Sequence, residues 1–322
     1  MTQIILDTLN QEISQLQYGQ YPPELYEPIG YIMSLGGKRL RPVLTLLSSS
    51  LFDDNWQQFV KPAIAIEVFH NFTLMHDDIM DAAPLRRGKP TVHHKWNNNV
   101  AILSGDVMLV CAYELLLHVK PEKLPLALKK FNRCAAQVCE GQQLDMNFEQ
   151  LPTVSEDEYI NMIQLKTAVL LGLSLELGGI LANAPLQQTD LLYQMGVAIG
   201  TGFQLKDDLL DVYGDQAKFG KQVGGDIIAN KKTFLLIKAL ELAEGNSKVT
   251  LQSWLNATSF KAEEKVKEVT DIYNTLHIRS LTEVKMNEFF AEGLHCLDLL
   301  AVSEERKQPL RDFIERLIHR EN

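Results

Sequence analysis

The stretch Glu67–Asp81 reads EVFHNFTLMHDDIMD. As a helix it sets Asp77 and Asp81 one turn apart on one face, because residues i and i+4 are helical neighbours. His70 stands seven residues before Asp77, two turns back on the same face. One line of the helix thus carries an imidazole and then two carboxylates, with Asp78 beside them. Two carboxylates about 6 Å apart repel by roughly 3 kcal/mol at an effective dielectric near 20. Packing alone gives a helix little reason to keep that repulsion. A divalent cation removes it, and hard oxygen ligands suit magnesium or calcium.

The device recurs at Phe203–Asp211, FQLKDDLLD. Gln204 is followed on one face by Asp207, Asp208 and Asp211, at i+3, i+4 and i+7. One Asp-Asp-x-x-Asp is ordinary on a solvated helix face. Two copies in otherwise apolar helices are not. Phe69, Phe72, Leu74 and Ile79 flank the first copy, and Phe203, Leu205, Leu209 and Leu210 the second. These flanks predict helices that are mostly buried, where carboxylates need partners.

The 322 residues fit two domains or one large one, and 46% are hydrophobic, enough for a sizeable core. A formal charge of −10 disfavours nucleic acid and anionic membrane surfaces as partners. Cys111, Cys134, Cys139 and Cys296 form no C-x-x-C pair, which fits a reducing, cytoplasmic setting without disulfides. The N-terminal stretch MTQIILDTLNQEISQL has no basic leader region and reads as an amphipathic helix. Asp106, Glu114 and Glu176 interrupt the apolar stretches 100–119 and 168–182, so no stable membrane insertion is expected.

Helical periodicity runs through nearly the whole chain. Helices are predicted near 3–18, 23–34, 39–51, 60–81, 100–118, 123–149, 156–182, 188–212, 231–244, 259–276, 283–300 and 304–320. No alternating strand pattern of convincing length interrupts them, so the class is all-α. No linker divides the chain, which reads as a single domain over 1–322.

Two loops stand out, 82–99 after the first acidic helix and 214–230 after the second. Each is basic where the helix before it is acidic. Arg86, Arg87 and Lys89 follow the first cluster; Lys218, Lys221, Lys231 and Lys232 follow the second. A third basic group is GGKRLRP at 36–42, in which Lys38 and Arg41 are read as sharing a face at a helix start. A polyphosphate–metal complex requires this alternation. Carboxylates hold the metals, metals hold the phosphates, and Arg and Lys take the remaining oxygens.

Taken together these residues resemble the trans-isoprenyl (polyprenyl) diphosphate synthase family. The resemblance rests on GGKRLRP at 36–42, His70, DDIMD at 77–81, RRGKPT at 86–91 and GD at 105–106. It continues through GQQLD at 141–145, KT at 166–167, FQLKDDLLD at 203–211 and GKQVGGDIIANKKT at 220–233. The resemblance implies an isoprenoid synthase fold, a helical bundle around a central cavity, as a homodimer using three magnesium ions. Asp77 and Asp81 would ligate two ions and Asp207 the third, with Asp78, Asp208 and Asp211 as weaker or supporting ligands. Lys38, Arg41, His70 and Arg87 would bind isopentenyl diphosphate. Arg86, Lys166, Thr167, Gln204, Lys221 and Lys231 would bind the allylic diphosphate, and Asp145 would orient Lys166 or Arg86.

The implied reaction is head-to-tail prenyl transfer, with the released diphosphate taking the final proton. In the family, bulk at the fourth and fifth positions before the first motif limits product length. Here these are Thr73 and Phe72, with Phe69 one turn deeper, and Phe72 is read as a floor. The first motif lacks the two-residue insertion common in bacterial farnesyl synthases. A product of fifteen or twenty carbons is expected, twenty rather than fifteen. The alternatives are a longer-chain polyprenyl synthase, a terpene cyclase or a non-catalytic partner subunit.

Overall fold

The computed structural model describes residues 1–214 and 224–319. Helices form almost all of its regular structure. The first four are α1 (Thr2–Gln15), α2 (Pro23–Ser34), α3 (Leu40–Ser50) and α4 (Val60–Met80). A two-stranded hairpin, β1 (Leu85–Arg86) with β2 (Lys89–Pro90), follows. Next come α5 (Val92–Lys95), α6 (Asn98–Leu116), α7 (Leu124–Gln150) and α8 (Glu156–Ile163). A π-helical turn, Gln164–Ala168, leads into α9 (Val169–Leu181) and α10 (Leu186–Tyr213). The remaining helices are α11 (Gly225–Ile228), α12 (Phe234–Leu242), α13 (Gly245–Asn256), α14 (Ala262–Thr275), α15 (Ile278–Asp298) and α16 (Glu304–His319).

Two compact units emerge, each discontinuous in sequence, so no single cut separates them. The first comprises Met1–Asn132, Leu173–Tyr193 and Leu299–Glu315. Its centre is α4 packed along α6, with α3 on another side of α4. From Pro62 to Phe69 every residue of α4 is buried, as a helix must be when it is apolar all round. Glu67 is the charged exception, at 2% exposure. It is held by Arg39, whose Nη1 donates to Glu67 Oε1 at 2.7 Å while Nη2 donates to the Met33 carbonyl.

The second unit comprises Arg133–Gly172, Gln194–Asp298 and Arg316–Asn322. One apolar cluster joins Leu209 and Val212 of α10 to Leu235, Leu236, Tyr273 and Ile278. Another joins Phe148, Tyr159, Met162 and Leu205 to Phe234 and Ile237. Ser155 starts α8 with a capping box, reciprocally bonded to Glu158. Gly141 of α7 lies against the π-helical turn so closely that a Cβ there would fall 2.1 Å from the Lys166 backbone nitrogen. That contact is with backbone, so only glycine fits.

Several expectations need correction. The predicted helix 156–182 is broken by the π-helical turn, a feature common at functional sites. The helix expected from 231 begins only at Phe234, because the Thr233 side chain caps it. Helix α13 went unread, since its Gly-Asn-Ser opening looks like a turn. Arg39 takes a left-handed conformation (φ 49°) just before α3. Lys38 therefore lies outside the helix and does not share a helical face with Arg41. By length and composition alone, Asn98–Leu116 and Glu156–Leu181 are apolar enough to cross a membrane despite their charges; the second is largely buried.

Candidate active site

In the first unit the acidic motif ends α4. Asp77 is half-buried, Asp78 is 2% exposed, and Asp81, the C-cap, is exposed. Its backbone N–H donates to the Asp77 carbonyl, so the one-turn spacing survives the end of the helix. A helix C-terminus carries the negative end of the helix dipole, which compounds the repulsion among these carboxylates. The hairpin β1–β2 returns Arg86 to them. Its Nε lies 2.9 Å from both Asp78 oxygens, and Nη2 lies 2.7 Å from Asp78 Oδ1 and 3.8 Å from Asp77 Oδ2. Asp78 is thus an anchor for Arg86, with its oxygens already taken, rather than an open ligand. Burial raises its carboxyl above the usual range, and Arg86 opposes that rise.

Arg87, at φ 53°, donates to the Gly36 carbonyl. Gly37, at φ +145°, makes room for it, since a Cβ there would come within 2.9 Å of the guanidinium. Both glycines before Lys38 also have positive φ, 76° at Gly36 and 145° at Gly37. His70 feels the charges of Arg41, Arg87, Arg86 and Arg39. Burial, then these four guanidinium groups, hold its imidazole well below the ordinary histidine value. Lys38 is exposed beside the cluster and Arg41 is half-buried. A neutral imidazole under the influence of four guanidinium groups has the electrostatic surroundings that suit an anion.

Phe72 rests on His76 and on Phe69, with ring centroids 4.8 and 5.6 Å apart. Phe69 in turn meets Phe131 at 5.1 Å, and Phe131 meets Tyr113 at 5.2 Å. Phe72 therefore tops a stack of rings contributed by three helices. The Thr73 hydroxyl turns back to the His70 carbonyl, 2.8 Å away.

In the second unit Asp145 of α7 receives Lys166 Nζ at 2.6 Å, and Lys231 Nζ lies 4.0 Å from the same oxygen. The structure thus puts Asp145 on Lys166; Arg86 is engaged by Asp78. The π-helical turn presents Lys166 and then Thr167, whose hydroxyl lies 3.3 Å from Gln204 Oε1. The Gln204 amide donates to Asp208 Oδ1 at 3.3 Å, and the Tyr159 hydroxyl donates to Asp208 Oδ2. Burial, and then Asp208, push the Tyr159 phenol far up, so it remains a donor. Asp208 is 4% exposed, and burial pushes its carboxyl up to about 8 against the pull of Tyr159. Like Asp78, it supports the site from below. Asp207 is exposed and Asp211 half-buried. Asp211 Oδ2 accepts from the Asp226 backbone N–H at 2.9 Å. Lys218 and Lys221 lie outside the described residues.

Magnesium fits this donor set. Among the described residues no three His, Cys, Asp or Glu side chains form a ready cage. Magnesium ordinarily takes one or two carboxylates, with substrate phosphates and waters completing its shell. Asp77 with Asp81, and Asp207 with Asp211, offer hard oxygens of that kind. Sequence reasoning missed Arg39, Glu67, Tyr159 and Asp226. The first two carried a signal, a charged pair within apolar or glycine-rich surroundings. Tyr159 carried none, since an apolar helix position suits a tyrosine without further cause.

The depressed His70 value sets a sign. Its contribution to stability is present above the free-histidine value, about 6.5, and is lost as pH falls through the folded-state value. Inorganic pyrophosphate brings opposite charge and raises the midpoint. The pH dependence of the His70 ring-proton NMR shift, assigned with His70→Asn, measures this. A midpoint unmoved by pyrophosphate contradicts an anion site at His70.

The polyprenyl synthetase family model matches residues 22–273. A geranylgeranyl pyrophosphate synthase of Geoglobus acetivorans is 42% identical over 235 residues, 72% of this chain and 73% of that protein. A geranylgeranyl diphosphate synthase of Methanosarcina mazei is 35% identical over 302 residues, 93% of this chain and 91% of that one. A crystal structure of a geranylgeranyl pyrophosphate synthase matches with a TM-score of 0.94 at 41% identity, covering 100% of this chain and 99% of that chain. The isoprenoid synthase fold, the motifs and these relatives agree, and the chain belongs to the polyprenyl synthetase family.

Proposed function

We propose that this enzyme, a short-chain trans-prenyltransferase, condenses isopentenyl diphosphate with an allylic diphosphate head to tail and releases mainly the twenty-carbon product. One observation carries the reading. In each unit a carboxylate cluster near the C-terminal end of a helix feels cations of the same unit, Arg86 on Asp78 in one and Lys231 on Asp208 in the other. The family typically uses magnesium. Here Asp77, Asp81 and Asp207 would hold three ions, with Asp211 in support. Bound there, magnesium neutralises the allylic diphosphate and draws electron density from its C–O bond.

The chain's own residues do the rest. Arg86, Lys166 and Lys231 take diphosphate oxygens, and Lys221, outside the described residues, joins them by sequence position. Lys38, Arg41, Arg87 and His70 bind isopentenyl diphosphate, whose double bond attacks the allylic cation. The Thr167 hydroxyl oxygen and Gln204 Oε1 turn negative dipoles toward that cation. Asp145 and Asp208 act through Lys166 and Gln204. The released diphosphate accepts the proton lost after condensation.

The same reading covers assembly. Leu103, Val110 and Leu117 recur every seven residues along α6 and its C-cap, each more than half exposed, with Ile102 beside them. A stripe at that spacing lies on one helix face. It supports a homodimer. The four cysteines are free, in keeping with a reducing cytoplasm.

Purified protein supplied with labelled isopentenyl diphosphate and an allylic primer is expected to yield a twenty-carbon diphosphate. Hydrocarbon from the allylic substrate alone would point to a cyclase, and no turnover by the single chain to a partner subunit. Phe72→Ala is expected to lengthen the product by at least one five-carbon unit; an unchanged product pattern on chromatography removes Phe72 as the floor. Leu103→Glu is expected to shift the protein from dimer to monomer in sedimentation, and a dimer that persists removes α6 from the interface.

A further inference from the structure

One buried charge has no part in the chemistry above. Lys265 of α14 is 1% exposed. Among the described residues no carboxylate lies within ion-pair distance of its ammonium. Nζ instead donates to the Ile228 carbonyl at 3.2 Å and to Asn230 Oδ1 at 2.6 Å, and sits 4.3 Å from the centre of the Phe260 ring. Burying an ammonium is costly, and an apolar side chain of similar volume commonly serves stability as well or better. The question is what these two bonds hold.

They hold the far end of the turn 224–233. Asn230 is left-handed there (φ 55°), and its amide also donates to the Leu255 carbonyl at 3.1 Å. The near end is gripped by the next residue of α14. A Cβ on Gly224, at φ +81°, would fall 2.7 Å from Val266 Cγ1. Between these grips the turn carries Asp226, whose N–H bonds Asp211, and it runs on into Lys231, which lies near Asp145. The Lys231 N–H donates to the Asp226 carbonyl at 2.9 Å, so the two residues move together. A small cavity lined by Asp226, Asn230, Lys231, Trp254, Lys265 and Tyr273 borders the turn.

We propose that Lys265 is a positioning residue of the allylic-diphosphate site, its ammonium clamping the 224–233 turn so that Lys231 and Asp211 stay set for the diphosphate. This rests on the assignment of Lys231 and Asp211 above. It also gives a role to a part of the chain that carries little motif. Lys265 itself touches no substrate in this scheme. Its effect belongs to binding of one substrate and not the other.

The test is steady-state kinetics on purified Lys265→Met, with thermal melting alongside. The KM for the allylic diphosphate is expected to rise about tenfold, the loss of one charge-assisted hydrogen bond. The KM for isopentenyl diphosphate stays within twofold, and the melting temperature within a few degrees. Asn230→Gly keeps the left-handed backbone, removes the acceptor and is expected to reproduce the pattern, also should Lys265→Met fold poorly. A rise in both KM values alike, or a lower melting temperature with both KM values unchanged, overturns the proposal. Lys231→Ala separates the two layers. If it raises the allylic KM and Lys265→Met does not, only the clamp fails. If Lys231→Ala leaves that KM unchanged, the assignment of Lys231 fails and the clamp with it.

Discussion

Carboxylates gather near the C-terminal ends of α4 and α10, where the field of each helix opposes them. Each helix end presents the negative pole of its dipole, worth about 0.3–1 kcal/mol against an anion. Each nevertheless carries three aspartates within five residues. Such an arrangement persists because something positive is brought to it. Protein cations supply part of that charge, and in the proposed function metal ions with a diphosphate supply the remainder.

The aspartates divide the work in the same way in both motifs. The middle residue, Asp78 or Asp208, is buried and held by a protein partner, Arg86 in one case and Tyr159 with Gln204 in the other. The outer residues reach further toward solvent: Asp81 and Asp207 are exposed, Asp77 and Asp211 half-buried. A buried, satisfied carboxylate fixes its helix end and its partner side chain. A more exposed one is within reach of a ligand. The basic groups show a similar split. Arg39 is held by Glu67 inside the fold, while Lys38 stays at the surface directly after Gly37, the glycine that admits Arg87.

The helical class was legible because apolar periodicity dominates, and α2 and α4 were bounded to within a residue. Candidate site residues with a charge, such as Asp77, Lys166 and Arg87, stand out in the sequence because charge amid apolar flanks is unusual. What escaped was whatever depends on a partner distant in sequence. The π-helical turn is set by Gly141 of α7, twenty-odd residues upstream. The left-handed Arg39 answers to Glu67, and Tyr159 to Asp208. The start of α3 was misplaced by this cause: local pattern ran the helix back to residue 39, while the buried ion pair turned Arg39 inward. Lys265 carries no signal in the sequence for the same reason, since its partner Asn230 lies 35 residues away.

The central claim is that the carboxylate clusters serve as cation holders for a diphosphate. Its most direct test is calorimetric binding of an allylic thiolodiphosphate, which cannot ionise readily, across a magnesium series. No measurable binding is expected without magnesium, tight binding with it, and an affinity that rises with more than the first power of magnesium concentration. Equal affinity with and without magnesium would contradict the claim.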